Sequence, residues 1–271
     1  DLPFDNDFVT YIWFDALINY ISSLGWKADG DNTEFYKTWE NATHLMAKDI
    51  LKTHAVYWPI MLKALGINPP KHLIVHGYWL GEGGIKMSKS LGNVVDPFVL
   101  GERYGVDAVR YYLLHEIPFA SDGTLTYELM IERINSDLAN ILGNLVNRTI
   151  TMCHKYSDGI LGSNAAAEAV DRELIELCLA TPAKVEQKMD QLRVADAIDE
   201  IFVLLRRANK YIDETQPWVL GKDPAGKERL DAVLYNLVET IRFAATLISP
   251  YLPDCADAIF KQLNLEPSDR K

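Results

Sequence analysis

The chain has 271 residues, 48% of them apolar, and its 27 Lys and Arg are outnumbered by 38 Asp and Glu for a formal net charge of −11. That length holds one large or two ordinary domains, and that charge argues against a protein that coats nucleic acid regardless of sequence, while leaving room for a local basic patch. Cys153, Cys178 and Cys255 stand far apart with no CxxC pair, which argues against a disulfide framework or a metal site and fits a reducing, cytoplasmic setting. No apolar run reaches the ~18 residues that span a bilayer.

In chain order, the opening DLPFDNDFVTYIWFDAL is close to packed sequence from its first residues, does not read as a signal peptide, and is expected to belong to something longer. TYIWF (10–14) predicts a strand and ALINYISSL (16–24) a helix, with Asp15 between them as its N-cap. HLMAKDILKTHAVYWPIMLKAL (44–65) predicts a helix that Pro59 starts or kinks, and HLIVHGYW (72–79) a buried strand. PFVLGERYGVDAVRYYLLHE (97–116) predicts two short helices around Gly105. Alternation of this kind implies an α/β domain with a parallel sheet.

From about Thr126 apolar residues recur at i, i+3, i+4 and i+7 through 129–156, 172–192, 194–214 and 228–248, which predicts a helix bundle. The expected organisation is α/β over 1–120 followed by all-α over 121–271, with the boundary in PFASDGT (118–124), where Pro, Asp-Gly and small residues cluster.

One loop asks for a ligand. GGIKMSKSLGN (83–93) places Lys86 and Lys89 among Gly and Ser directly after a predicted strand. Such a loop brings backbone N–H groups and ammonium groups to a polyanion, and in open α/β folds ligands sit beyond the carboxyl ends of the strands. A solvated turn is the alternative, and lysines alone would favour it.

Lys86-Met87-Ser88-Lys89-Ser90 matches the KMSKS signature of class I aminoacyl-tRNA synthetases. YIWFDALINYISSLG (11–25), AKDILKTHAVYWPIML (47–62), GYWLGEGGIKMSKSLGNVVDP (77–97) and YGVDAVRYYLL (104–114) resemble the methionyl-tRNA synthetase family in the same order. The resemblance implies the second half of a Rossmann-type catalytic domain followed by an anticodon-binding helix bundle. It also implies an enzyme that joins methionine and ATP (with Mg2+) into methionyl-adenylate and passes the methionyl group to tRNA(Met). The loop then closes on ATP, with Lys89, Lys86, Met87 and Ser88 as contacts and the two lysines stabilising charge that builds on the phosphates. Asp49 is implied at the ribose or amino group of the adenylate, with helix capping as its competing role, and Val75-His76-Gly77 borders the adenine.

By the same resemblance Trp13, Ala16, Leu17, Tyr20, Ile50, His54, Tyr57 and Trp58 take methionine, although some relatives carry proline in place of Leu17. A long, apolar thioether favours aromatic edges, and its sulfur accepts weakly from polar tips such as Tyr20 and His54. His54 and Trp58, four apart, share a helix face. Each of these side chains also has a plain core-packing role open to it.

In the helical half the resemblance places the anticodon contacts at Asn144, Arg148, Pro217 and Trp218. Asn and Arg read base edges or phosphates, and an indole at a helix end stacks a base. Asn144 facing the core and Trp218 plugging the bundle is the alternative. Arg206, Arg207, Lys210 and Lys222 are expected to form the local basic patch.

The family's His-x-Gly-His motif and its zinc-bearing insertion are not found. Both are expected in an N-terminal half that this chain lacks, so that the chain alone would have little adenylation activity. Two rival readings stay open: a tRNA-binding module with a vestigial loop, and a related synthetase for leucine, isoleucine, valine or cysteine.

Overall fold

The structure is a computed structural model, and it describes residues 4–164 and 168–270. They divide into two compact units, one running to Tyr78 and including Ala120–Asp122, the other comprising Trp79–Phe119 and Gly123 onward.

In the first unit, α1 (Ile12–Ser22) and α2 (Thr33–Trp39) precede β1 (Thr43–Ala47), a 3-10 turn Lys48–Ile50, a π-helical turn Thr53–Tyr57 that runs into α3 (Trp58–Ala64), and β2 (His72–His76). β1 and β2 pair in parallel from Thr43 with His72 to Ala47 with His76. The core is Leu17, Ile21, Phe35, Trp39, Trp58, Leu62 and Ile67.

Four local expectations are corrected here. Residues 12–14 are helical rather than a strand, because α1 buries Leu17 and Ile21 one turn apart and turns Ile12 and Phe14 outward. Tyr11 stands at the N-cap of this helix, so Asp15 does not cap it and lies instead in its first turn, where the helix dipole favours a carboxylate. Residues 44–47 are a strand rather than the start of a helix, with His44 and Met46 inward and Thr43 and Leu45 outward. Pro59 sits in the first turn of α3, directly after the π turn. β2 is half-buried and breaks after His76 rather than running to residue 79.

In the second unit a short parallel pair, β3 (Trp79–Leu80) with β4 (Gly123–Thr124), brackets α4 (Pro97–Tyr104) and α5 (Val106–His115), which meet at Gly105 as expected. α6 (Tyr127–Arg133) runs through a ten-residue π-helical stretch, Ile134–Gly143, into α7 (Asn144–Ser157). The bundle continues with α8 (Ala169–Asp190), α9 (Val194–Thr215), the short α10 (Pro217–Leu220), α11 (Lys227–Ile248) and α12 (Pro253–Gln262). The architecture is α/β followed by all-α. α9 is its spine: Ala197, Ile198, Ile201, Leu204, Leu205, Ala208 and Ile212 are completely buried at the spacing of one helix face. Each leucine or isoleucine truncated there would cost about 2–5 kcal/mol.

A polar network centred on Asp171 lies inside this apolar bundle. Asp171, at the start of α8, is fully buried and accepts the Tyr211 hydroxyl at 2.6 Å, both terminal nitrogens of Arg229 at 2.6 and 2.8 Å, and the Glu168 backbone N–H at 2.7 Å. Asn236 donates to Tyr211 Oη at 3.3 Å. The network ties α8, α9 and α11 with every carboxylate oxygen satisfied.

Candidate active site

The first unit gathers an aromatic and histidine cluster. His54 lies in the π turn and is 2% exposed. Its Nδ1 faces the Ile50 carbonyl at 2.9 Å and the Thr53 hydroxyl at 3.1 Å, and Thr53 donates its own proton to that same carbonyl at 2.6 Å. Nδ1 therefore carries the hydrogen, and in the neutral ring Nε2 accepts the Tyr20 hydroxyl at 3.0 Å. With its proton turned to His54, Tyr20 offers lone pairs on its other side. Trp13 meets the His54 ring edge-on at 5.7 Å, and Tyr20 lies 6.0 Å from Trp58. His54 and Trp58 thus share a face as their spacing predicts.

Two members of the cluster were not legible beforehand. His44 lies 4.4 Å from the Tyr20 ring and accepts the Trp58 indole N–H at 3.0 Å. Burial, and next to it the neighbouring His54, lowers the pKa of His44. Trp39 packs edge-on against both His44 and Trp58. Both contacts cross between elements, and only a density of aromatic residues through 35–58 hinted at them.

Beside this cluster is an open, apolar cavity of about 330 Å³ lined by Tyr11, Trp13, Phe14, Leu17, Tyr57, Ile60 and Met61. Trp13, Leu17 and Tyr57 of the predicted set line it, and Trp13 is the side chain shared with the His54 cluster. Ala16 is exposed, and Ile50 is half-buried with its carbonyl holding His54.

The carboxyl ends of β1 and β2 carry the predicted nucleotide residues. Asp49 is exposed in the 3-10 turn after β1. His76 closes β2 and its Nδ1 donates to the Gly77 carbonyl at 2.8 Å.

In the second unit, Lys86 bridges antiparallel to Leu80, and Gly83 and Gly84, with φ of 71° and 74°, make the turn between them. Ser88 caps the 3-10 turn Lys89–Leu91 by accepting the Leu91 N–H at 3.3 Å, and its own N–H is held by Asn93 Oδ1 at 2.8 Å. Met87 packs on the apolar cluster of Leu100, Val109, Tyr112, Leu125 and Met130. Lys86 and Lys89 are exposed, and Lys89 has no ion pair among the described residues. The loop is thus anchored at Met87 and Asn93 while its second lysine stands in solvent.

On the bundle, Asn144 is exposed, Pro217 is buried and Trp218 is 38% exposed. Asn144 therefore does not face the core, and Trp218 does not plug the bundle. Arg148 donates to Asp213 at 3.1 Å. The expected basic patch is corrected: Arg207 is turned to Glu173 and Glu214, and Lys210 to Glu214. Arg206 and Lys222 are exposed without ion pairs among the described residues.

Burial pushes the thiols of Cys153, Cys178 and Cys255 up to about 11, so they stay protonated at neutral pH. Among the described residues no three His, Cys, Asp or Glu side chains gather as metal ligands, and no helix is long and apolar enough to cross a membrane.

Comparison with known proteins adds the family. Residues 1–150 match the family of tRNA synthetases class I (M), and residues 162–270 the anticodon binding domain of methionyl tRNA ligase. The chain is 54% identical to the methionine–tRNA ligase of Clostridium tetani over 265 residues, which is 98% of this chain and 41% of that protein. It is 47% identical to that of Bacillus subtilis over 272 residues, all of this chain and 40% of that protein. The methionyl-tRNA synthetase of Mycobacterium tuberculosis bound by methionyl-adenylate superimposes with a TM-score of 0.92 at 39% identity, over 100% of this chain and 53% of that one. The chain spans about two fifths of the length of the curated relatives it matches. By the match over more than half its length, and by relatives of one kind along nearly all of it, this chain belongs to the tRNA synthetases class I (M), the methionine branch rather than that of leucine, isoleucine, valine or cysteine.

Proposed function

We propose that the protein carrying this chain activates methionine with ATP to methionyl-adenylate and transfers the methionyl group to tRNA(Met). The observation that carries the reading is the Tyr20–His54–Trp13 arrangement beside an apolar cavity, in a chain of this family. A thioether is polarizable and gains from aromatic edges, and a pocket of this lining holds it without a strong polar partner. Trp13, Ala16, Leu17, Tyr20, Ile50, His54, Tyr57 and Trp58 serve methionine. Asp49, His76 and Gly77 serve the adenosine of ATP, and Lys86, Met87, Ser88 and Lys89 its phosphates.

In activation a methionine carboxylate oxygen forms a bond to the α-phosphorus, the bond to the β-phosphate oxygen breaks, and pyrophosphate leaves. Negative charge grows on the phosphates, and Lys86 and Lys89 stabilise it more than they stabilise bound ATP. In transfer a terminal ribose hydroxyl of the tRNA attacks the methionyl carbonyl carbon and AMP leaves. ATP enters with Mg2+ as part of the substrate. Asn144, Arg148 and Trp218 read the anticodon, the buried Pro217 opening the short helix that carries Trp218, and the exposed indole and amide are available to unstacked bases.

The test is methionine-dependent ATP–pyrophosphate exchange by the chain joined to the remaining segment that its relatives carry. Exchange with methionine, and not with leucine or isoleucine, supports the reading. A joined protein that binds tRNA(Met) yet never exchanges would make this a tRNA-binding module with a vestigial loop.

A further inference from the structure

Asp122 belongs to the boundary segment 118–124 and to none of the site residues named above, yet its carboxylate is used twice. Oδ1 accepts the Tyr78 backbone N–H at 2.8 Å and Oδ2 holds the Lys48 ammonium at 2.6 Å. Lys48 directly follows Ala47, the last residue of β1, and Tyr78 stands two residues beyond His76, the last residue of β2; Ala47 and His76 are register partners. One carboxylate thus bridges the carboxyl ends of both parallel strands. Lys48 Nζ also lies 4.7 Å from the centre of the Tyr78 ring. The hydrogen bond from Lys48, and after it that from Tyr78, holds the Asp122 carboxyl below the usual range, so it is ionised at neutral pH.

Gly77 makes the tie possible. A Cβ there would stand 2.0 Å from the Ser121 carbonyl oxygen and 2.8 Å from the Asp122 nitrogen, both backbone atoms that cannot swing aside. The ion pair is exposed at both ends, 45% for Lys48 and 35% for Asp122, so it adds little to stability. Its effect is on placement. Asp49 is the next residue after Lys48, and His76 and Gly77 immediately precede Tyr78.

We propose that Asp122 is a positioning residue of the nucleotide site: it clamps the ends of β1 and β2 at the spacing at which Asp49 and the His76–Gly77 backbone engage one adenosine. This rests on the reading of those residues as ATP contacts. Ligands of parallel sheets bind beyond the carboxyl ends of the strands, and a ligand that spans two strand ends is sensitive to their separation.

The experiment is ATP–pyrophosphate exchange by the joined protein, with KM for ATP and for methionine measured separately, and Tm alongside. Asp122→Ala and Lys48→Met are each expected to raise KM for ATP about fivefold while leaving KM for methionine and Tm nearly unchanged. The double variant is expected to be no worse than either single one, because both remove one tie. Asp122→Asn, which keeps an acceptor for Tyr78, should fall between wild type and Asp122→Ala. An unchanged KM for ATP in Asp122→Ala overturns the proposal, as do equal rises for both substrates or strictly additive effects. Absence of exchange in the unsubstituted joined protein defeats the underlying reading, and the proposal with it.

Discussion

Replacing Arg229 by methionine would strand a carboxylate inside the bundle. Asp171 is fully buried, and Arg229 supplies two of its four hydrogen bonds. Removing one partner of a buried ion pair costs about 3–5 kcal/mol, because the remaining charge has left water without compensation. For a domain of ~150–250 residues each kcal/mol shifts Tm by about 2–4 °C, so a fall on the order of 10 °C is expected. The effect must depend on pH. In the intact network burial pushes the Asp171 carboxyl up, but the hydrogen bonds from Arg229, Tyr211 and the Glu168 N–H outweigh it and leave it below the usual range. A depressed carboxylate contributes stability above its unfolded pKa of ~3.9 and loses it as pH falls through the lower folded value. In Arg229→Met burial is opposed only by the Tyr211 and Glu168 bonds, the carboxyl rises, and protonation relieves the penalty. Thermal melts followed by circular dichroism at pH 7 and pH 4 should therefore show a large deficit at the first pH and a smaller one at the second. Adding Asp171→Asn to the variant should recover part of the loss at pH 7. A deficit below about 1 kcal/mol at pH 7, or one equal at both pH values, would refute the reasoning.

Three further outcomes are expected. In the joined protein Lys89→Ala should slow ATP–pyrophosphate exchange about a hundredfold with KM for methionine unchanged, and a parallel loss of methionine affinity would contradict the assigned role. Trp218→Ala should weaken binding of an anticodon stem-loop by about 1–3 kcal/mol and leave exchange intact; equal damage to both would make the indole a structural element. Burial lowers the pKa of His44, so the folded chain takes up that proton less readily than the unfolded one. Stability is then complete above ~6.5 and falls as pH drops from there through the lower folded value, and His44→Gln should flatten that slope in melts of the full chain between pH 7 and 5.

The bundle was legible because its signal is local. The 3.6-residue periodicity of 194–214 and 228–248 is the buried face of α9 and α11 itself, and the exact pentapeptide pointed to class I aminoacyl-tRNA synthetases, with the segments around it pointing to the methionyl family. What failed was non-local. TYIWF is too short to tell a strand from a helix by pattern, and Ile12 and Phe14 face outward from the helix that forms there. HLMA is a strand because it pairs with His72–His76, some 29 residues later, and nothing within it says so. In the candidate site, His54 and Trp58 could be placed on one face by spacing alone. His44 and Trp39 reach the cluster only through strand pairing and packing, and Asp122 comes to Lys48 across 74 positions of sequence. The basic patch failed for a different reason: charge counts do not show that Arg207 and Lys210 spend themselves on glutamates nearby.

The π-helical stretch Ile134–Gly143 has a consequence for how the chain tolerates changes in its length. Its carbonyls are bonded five residues on, one more than in an ordinary helix, so the ladder holds surplus backbone. Loss of one residue there lets the ladder tighten locally to four-residue spacing. In a regular helix the same loss turns everything downstream by about 100°, which in α9 would carry its buried stripe round to solvent. Gaps of one position are therefore cheap just ahead of Asn144 and ruinous in the spine of the bundle.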